Sequence, residues 1–274
     1  MDWPKEMPPY ASPEKKQRVS KTNARKELIE QNRIRKGFER TTFRNLVSAF
    51  RDIGEVGSRF YRENNRVPDD SENWINTRIT NVLRPIYQSV TETFAGRFET
   101  YQKQEQSEFD TIFRTFLLEF GAKNIRAISD VTRAKILRAI LDAQEQDFGQ
   151  EETARVILAR QTDVQSKRRA RTIARTEVHN AASFASHTMA KNLPIPNLKK
   201  RWVAVTDNRT RTGHSQISGT TVDLDADFNV PTEFSTGIVD IPMGYPSDPR
   251  GGARNVINCR CVLVYVTDDE DDVV

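Results

Sequence analysis

Apolar residues recur at three- and four-residue steps from about residue 24 to residue 191, and no alternating pattern interrupts them before residue 200. That spacing puts apolar side chains on one face of a helix. Phe43, Leu46, Val47, Phe50 and Ile53 form a first stripe, which Val67-Pro68-Asp69-Asp70-Ser71 breaks. A second runs Ile75, Ile79, Val82, Leu83, Ile86, Val90 and Phe94, and Pro85 within it predicts a kink or break near Arg84. The stripe resumes at Phe98, Tyr101, Phe109, Ile112, Phe113, Phe116 and Phe120, with Gly121 as a stop. A further helix is expected to start near Ser129, capped by that hydroxyl, and to end at Gly149. A short helix then covers 151–160, and Ser166 caps a longer one reaching about Lys191. Long helices with such polar faces suit docking onto a partner or self-association.

The character changes after Pro194 and Pro196. Residues 201–206 read as a strand, a short extended segment surrounds Val222, and residues 261–266 read as a last strand. Residues 229–255, rich in proline and glycine, read as one long irregular loop. The fold class is therefore α+β: an extended N-terminal helical region, then a small mixed α/β C-terminal domain with few strands. The expected divisions are a disordered arm over 1–20, a helical docking region over 21–147, a C-terminal domain over 148–266 and an acidic tail over 267–274.

At 36% hydrophobic and 29% charged residues, a 274-residue chain affords only a modest core. No apolar run approaches the roughly 18 residues of a membrane span, and Met1–Tyr10 lacks the apolar centre of a secretory signal. Two cysteines do not make a disulfide framework, and a reducing cytoplasm is the expected place of synthesis. The net charge of +4 hides its pattern. Lys15, Lys16, Arg18 and Lys21 crowd the start, Lys167, Arg168 and Arg169 form a second cluster, and Asp268–Asp272 make an acidic run. Both basic clusters are candidate nucleic-acid contacts.

Three constellations carry polar chemistry. Arg175 and Glu177 lie beside a stripe of small residues, Ala170, Ala174, Val178, Ala181 and Ala185, and need partners if they are inside. Asp207-x-Arg209-x-Arg211-x-x-His214 follows the first strand, and reads as a loop pinned by side chains in preference to an acid–base site. Cys259-x-Cys261 points both thiols to one face. With His214 and Asp207 or His187 it would make a zinc site, but the one-residue gap departs from the common zinc spacing and favours a pair of small core residues without metal. A phosphate loop, an H-E-x-x-H pair and a G-x-S-x-G elbow are absent from the sequence. One functional reading of these residues is a metal-dependent or nucleic-acid-processing enzyme site on His214 and the cysteines, and another is a sequence-independent DNA-binding protein.

Ile173-Ala174-Arg175-Thr176-Glu177, Trp202, Asp207-x-Arg209-x-Arg211-x-x-His214, Gly219, Pro246-x-Asp248-Pro249 and Asn258-Cys259-Arg260-Cys261 occur in one order. The ordered set resembles the Mu F-like minor head proteins of tailed phages, over about residues 150 to 266. The resemblance implies a non-enzymatic virion component without a cofactor, acting in procapsid assembly. Its implied partners are the portal protein or the capsid interior and packaged double-stranded DNA. Arg175, Glu177, Asp207, Arg209, Arg211, His214, Asn258, Cys259 and Cys261 occupy the motif positions and are expected to stabilise the site.

Overall fold

A computed structural model describes residues 21–98 and 106–267. The expected arm, Tyr101 and the acidic tail from residue 268 lie outside those residues, as does the side chain of Lys21. Six helices come first: α1 (Lys21–Asn64), α2 (Ser71–Ala95), α3 (Gln106–Phe116), α4 (Ala122–Gln144), α5 (Gln150–Thr162) and α6 (Val164–Asn192). Strand β1 (Lys199–Val203), helix α7 (Thr212–Gln216) and strands β2 (Thr221–Asp223), β3 (Phe228–Phe234) and β4 (Gly237–Met243) follow, then α8 (Gly252–Val256) and β5 (Val262–Val266).

Helix α6 is the axis of the molecule. Its small-residue stripe, Ala170, Ala174, Val178, Ala181 and Ala185, is buried to 1% exposure or less, so α1 and α2 approach its backbone closely. One apolar cluster runs from Leu46 on α1 through Phe94, Phe98, Phe113 and Phe116 to Tyr265 on β5. Of the third apolar stripe, Phe98, Ile112, Phe113 and Phe116 are buried within the chain itself. Phe116 and Phe120 both pack against Phe184 of α6, at ring separations of 5.5 and 5.7 Å.

The helix limits differ from expectation at several points. Pro85 does not break α2. Pro85 and Asn81 are both exposed, so the carbonyl that loses its N–H partner faces water, while Leu83, Ile86 and Tyr87 hold the buried side. Gly121 is no stop. It closes a π-helical turn, Leu117–Gly121, that runs straight into α4. A Cβ there would meet Tyr87 Cε2 at 3.2 Å, so this glycine is the seat of the Tyr87 ring. Ser129 lies inside α4 and donates to Ile125 O at 2.8 Å. Helix α4 ends through Asp147, whose φ of 56° is left-handed, and Gly149 precedes α5. Asp163 caps α6 by accepting from Ser166 N at 2.6 Å, where Ser166 was the expected cap.

β1 is the centre of a sheet ordered β2-β1-β5, antiparallel throughout. Alternation divides β5 between two surroundings. Val262, Val264 and Val266 pack on Ala24 and Leu28 of α1, while Leu263 and Tyr265 enter the main core. Gln31 Nε2 fastens the same contact by donating to Leu263 O at 2.9 Å. Residues 228–243 are not a loop. β3 and β4 form a hairpin with Phe234 opposite Gly237 and Pro231 opposite Asp240. A two-stranded ribbon has two free edges, which is where proline is tolerated.

Candidate functional site

The motif residues gather where α6, α7 and the turn before β5 meet, and they fall into separate networks. Arg175 lies 3.6 Å from Glu39 and donates to Asn258 Oδ1 at 3.4 Å. Glu177 is buried and accepts from Tyr87 Oη at 2.7 Å and Asn124 Nδ2 at 2.8 Å, without a cation beside it in this network. Burial raises its pKa, and the two hydrogen bonds partly oppose that. The π-turn at Leu117–Gly121 and the Tyr87 seat aim both donors at this carboxylate.

Asp207 is bound by Arg260, with Nη1 and Nη2 each 2.6 Å from a carboxylate oxygen. Arg209 N donates to it at 3.0 Å, and these contacts hold its carboxyl well below the usual range. Arg209 itself is exposed, and Arg211 donates to the Ile257 carbonyl. The Pro246-x-Asp248-Pro249 segment is fixed similarly. Buried Asp248 accepts from Gly244 N at 2.7 Å, and Arg250 joins it to Asp227.

Asn258 takes a left-handed φ of 58°, which asparagine tolerates better than most residues, and its N–H reaches Thr176 Oγ1 at 3.2 Å. That turn brings both thiols beneath α7. Cys259 Sγ and Cys261 Sγ lie 3.7 and 3.4 Å from His214 Nδ1. Among the described residues these three alone form a metal-sized group, with ligand atoms within 4.8 Å of one another. His187 and Asp207 are not part of it. Cys261 is pushed well above the usual thiol value, first by its hydrogen bond to Cys259 and then by burial. Arg35 of α1 lies fully buried beside the pair and approaches the Cys261 carbonyl at 3.4 Å.

The basic cluster on α6 divides. Lys167 and Arg168 are exposed. Arg169, expected to contact nucleic acid, instead donates to Ile128 O at 2.7 Å and Thr132 Oγ1 at 3.0 Å and stacks on Phe50, so its guanidinium is committed inside the fold. Lys15, Lys16 and Arg18 lie outside the described residues.

Sequence reasoning missed Arg260, Asn255, Arg35 and Tyr87. Only Arg260 left a signal: between two cysteines that share a face, it must point the other way, toward Asp207. Arg35 and Tyr87 come from distant elements that only the packing brings in, and Asn255, although close to the motif in sequence, has no chemistry of its own to mark it.

The sequence matches the family described as Phage Mu protein F like protein over residues 125–264. It is 35% identical over 105 residues to minor head protein GP7 of Bacillus phage SPP1, covering 37% of the chain and 31% of that protein. It is 34% identical over 105 residues to uncharacterized protein YqbB of Bacillus subtilis (strain 168), covering 38% and 32%. A third relative, NAD(+)--arginine ADP-ribosyltransferase EFV of Enterococcus faecalis (strain ATCC 700802 / V583), is 34% identical over 108 residues, covering 38% and 20%. The chain thus spans a third or less of these curated relatives. No solved structure matches it, and no helix among the described residues is long and apolar enough to cross a membrane. With the matched segment covering half of its length, the chain belongs to the Phage Mu protein F-like family.

Proposed function

We propose that the chain is a non-enzymatic minor head protein of a tailed phage, acting in procapsid assembly at the portal or inner capsid face. The observation that carries this reading is its similarity to a phage minor head protein across the motif segment. The site chemistry supports it. Asp207, Glu177 and Asp248 each face partners built into the fold, as groups that hold a structure do.

The docking surface we assign is the β3–β4 hairpin, where Ile238 is 70% and Val239 49% exposed. Replacing both with Asp should reduce co-purification with co-expressed portal protein about 5- to 150-fold, since two apolar contacts contribute roughly 1–3 kcal/mol. The melting temperature should hold, because both side chains are already in solvent. Undiminished portal capture would remove the hairpin from the reading.

DNA contact is assigned to Lys15, Lys16, Arg18 and Lys21 with exposed Lys167 and Arg168. Replacing Lys167 and Arg168 with Ala should lower the salt slope of double-stranded DNA binding by up to about 2, because each lost phosphate contact removes about 0.9 released counterions. An unchanged slope would exclude this face of α6.

A second reading, arginine ADP-ribosyl transfer, is favoured by the EFV similarity, which covers a fifth of that enzyme. Turnover of NAD+ by the purified chain with an arginine acceptor would carry it. No turnover would leave the structural reading in place.

A further inference from the structure

We propose that His214 Nδ1, Cys259 Sγ and Cys261 Sγ together bind one zinc ion, which ties α7 to the head of β5. The inference stands on the geometry of these residues and does not depend on the head-protein reading.

The histidine tautomer comes first. Asn255 Nδ2 donates to Gly251 O at 3.1 Å and to Thr232 Oγ1 at 2.8 Å. A carbonyl can only accept, so this end of the amide must be the NH2 group. Asn255 Oδ1 therefore faces His214 Nε2, 3.2 Å away, and that nitrogen carries the ring proton. Nδ1 is left with a lone pair, and it points at both sulfurs. An outer hydrogen bond that fixes a ring in this way is what metal-binding histidines have.

The distances then match a metal. Zn–S bonds of about 2.3 Å and Zn–N bonds of about 2.05 Å at a tetrahedral angle place nitrogen and sulfur roughly 3.6 Å apart. The observed separations are 3.7 and 3.4 Å. Without a metal, one lone pair on Nδ1 accepts a hydrogen from only one of the two thiols. With a metal, all three donors are used at a common point.

The hydrogen bond to Cys259 and burial keep Cys261 a thiol in the absence of a metal, and one neighbour would favour its thiolate once a cation is bound. Trp202 is 0% exposed, and its indole N–H finds no nitrogen or oxygen acceptor. It lies beside the Cys261 sulfur, which would accept from it better as a thiolate. Charge also balances. Zn2+ displaces one proton from each thiol, and the ion with two thiolates and a neutral imidazole is net neutral. It adds no charge beside buried Arg35. All three ligands are 2% exposed or less, so an ion held between them would be shielded from bulk solvent. Its proposed role is to fasten α7 to the head of β5.

The unusual cysteine spacing follows from the strand. Residues two apart at the head of an extended segment face one side, and the third donor arrives from α7, 45 residues upstream of Cys259.

Elemental analysis of the reduced full chain, after incubation with Zn2+ and extensive dialysis, tests this. Roughly one zinc per chain is expected, and its removal by a chelator should lower the melting temperature by about 10 °C, because binding is coupled to folding. Cobalt(II) in its place should give tetrahedral d–d bands and thiolate charge transfer on the unmutated chain, so the test does not need a variant that folds. Cys259→Ala and Cys259→Ser should be about equally damaging, and His214→Ala should lose the metal. No zinc uptake by the reduced chain would overturn the proposal. So would a cobalt spectrum without thiolate bands, or a Cys259→Ser variant that is clearly less stable than Cys259→Ala, the order expected of thiols packed without metal.

Discussion

Gly213→Ala is expected to lose more stability than any other single methyl addition at a described glycine. A Cβ on Gly213 would lie 1.8 Å from Pro231 O and 2.9 Å from Pro231 C. Both atoms are backbone, so a side-chain rotation does not relieve the overlap. Helix α7 must move off β3, and His214, the next residue, moves with it. Overpacking of this kind costs about 3 kcal/mol or more, which for a chain of this size lowers the melting temperature by roughly 6–12 °C. Gly37→Ala is the matched control. It lies within α1, and a Cβ there meets nothing within 4 Å. That change should raise stability by about 0.5–1 kcal/mol, because alanine restricts the unfolded chain. A Gly213→Ala chain melting within about 2 °C of the parent would mean that α7 does not rest on β3.

Acidification should weaken the fold through His187. Its ring is 9% exposed, packs on Tyr245 at 5.3 Å, and has no partner at Nδ1. Burial, with Lys200, Lys191 and Arg250 adding repulsion, pushes its pKa down to about 3, and Asp225 opposes this. The unfolded chain therefore binds a proton near pH 6.5 that the folded chain refuses. The stability contribution is complete above pH 6.5 and falls away as the pH drops toward 3. About 2–3 kcal/mol should be lost between pH 6.5 and 4.5, at 1.36 kcal/mol per unit. Glu177 acts in the opposite sense just above pH 4.5, since its raised pKa lets the folded chain take up a proton first. Asp207, Asp225 and Asp227, all lowered, lose their contributions only below the ordinary carboxylate range. Denaturant titrations at pH 7, 5.5 and 4.5 should show a flatter decline for His187→Gln than for the parent. Parallel declines would assign the acid sensitivity elsewhere.

The helices were legible because packing selects the same three- and four-residue spacing that the sequence shows. Their limits were less so. Ser129 and Gly121 are a helix-start and a helix-stop residue by local chemistry, yet both lie where the apolar stripe continues through Ile125 and Ile128. The roughly 1 kcal/mol that glycine costs a helix is small beside that burial. Pro231 and Pro242 misled in the other direction, since a proline suggests loop until the strand is known to have a free edge. The α+β class and the strands around Trp202 and Val264 were readable. The site was readable only in parts. His214 and the two cysteines stood out as reactive types, but the zinc reading was set aside on spacing. Asn255, which fixes the ring, and Gly213, which admits α7, have no chemistry of their own to mark them.

The hydrogen bond from Gln31 to the Leu263 carbonyl spans 232 positions. During synthesis at about 5–20 residues per second, α1 leaves the ribosome on the order of 10–50 s before β5 exists. Throughout that interval Ala24 and Leu28 lack the valines that cover them. The newborn helix thus carries an unfilled apolar face until the last strand arrives. A chaperone, or a second nascent chain, has that window in which to reach it first.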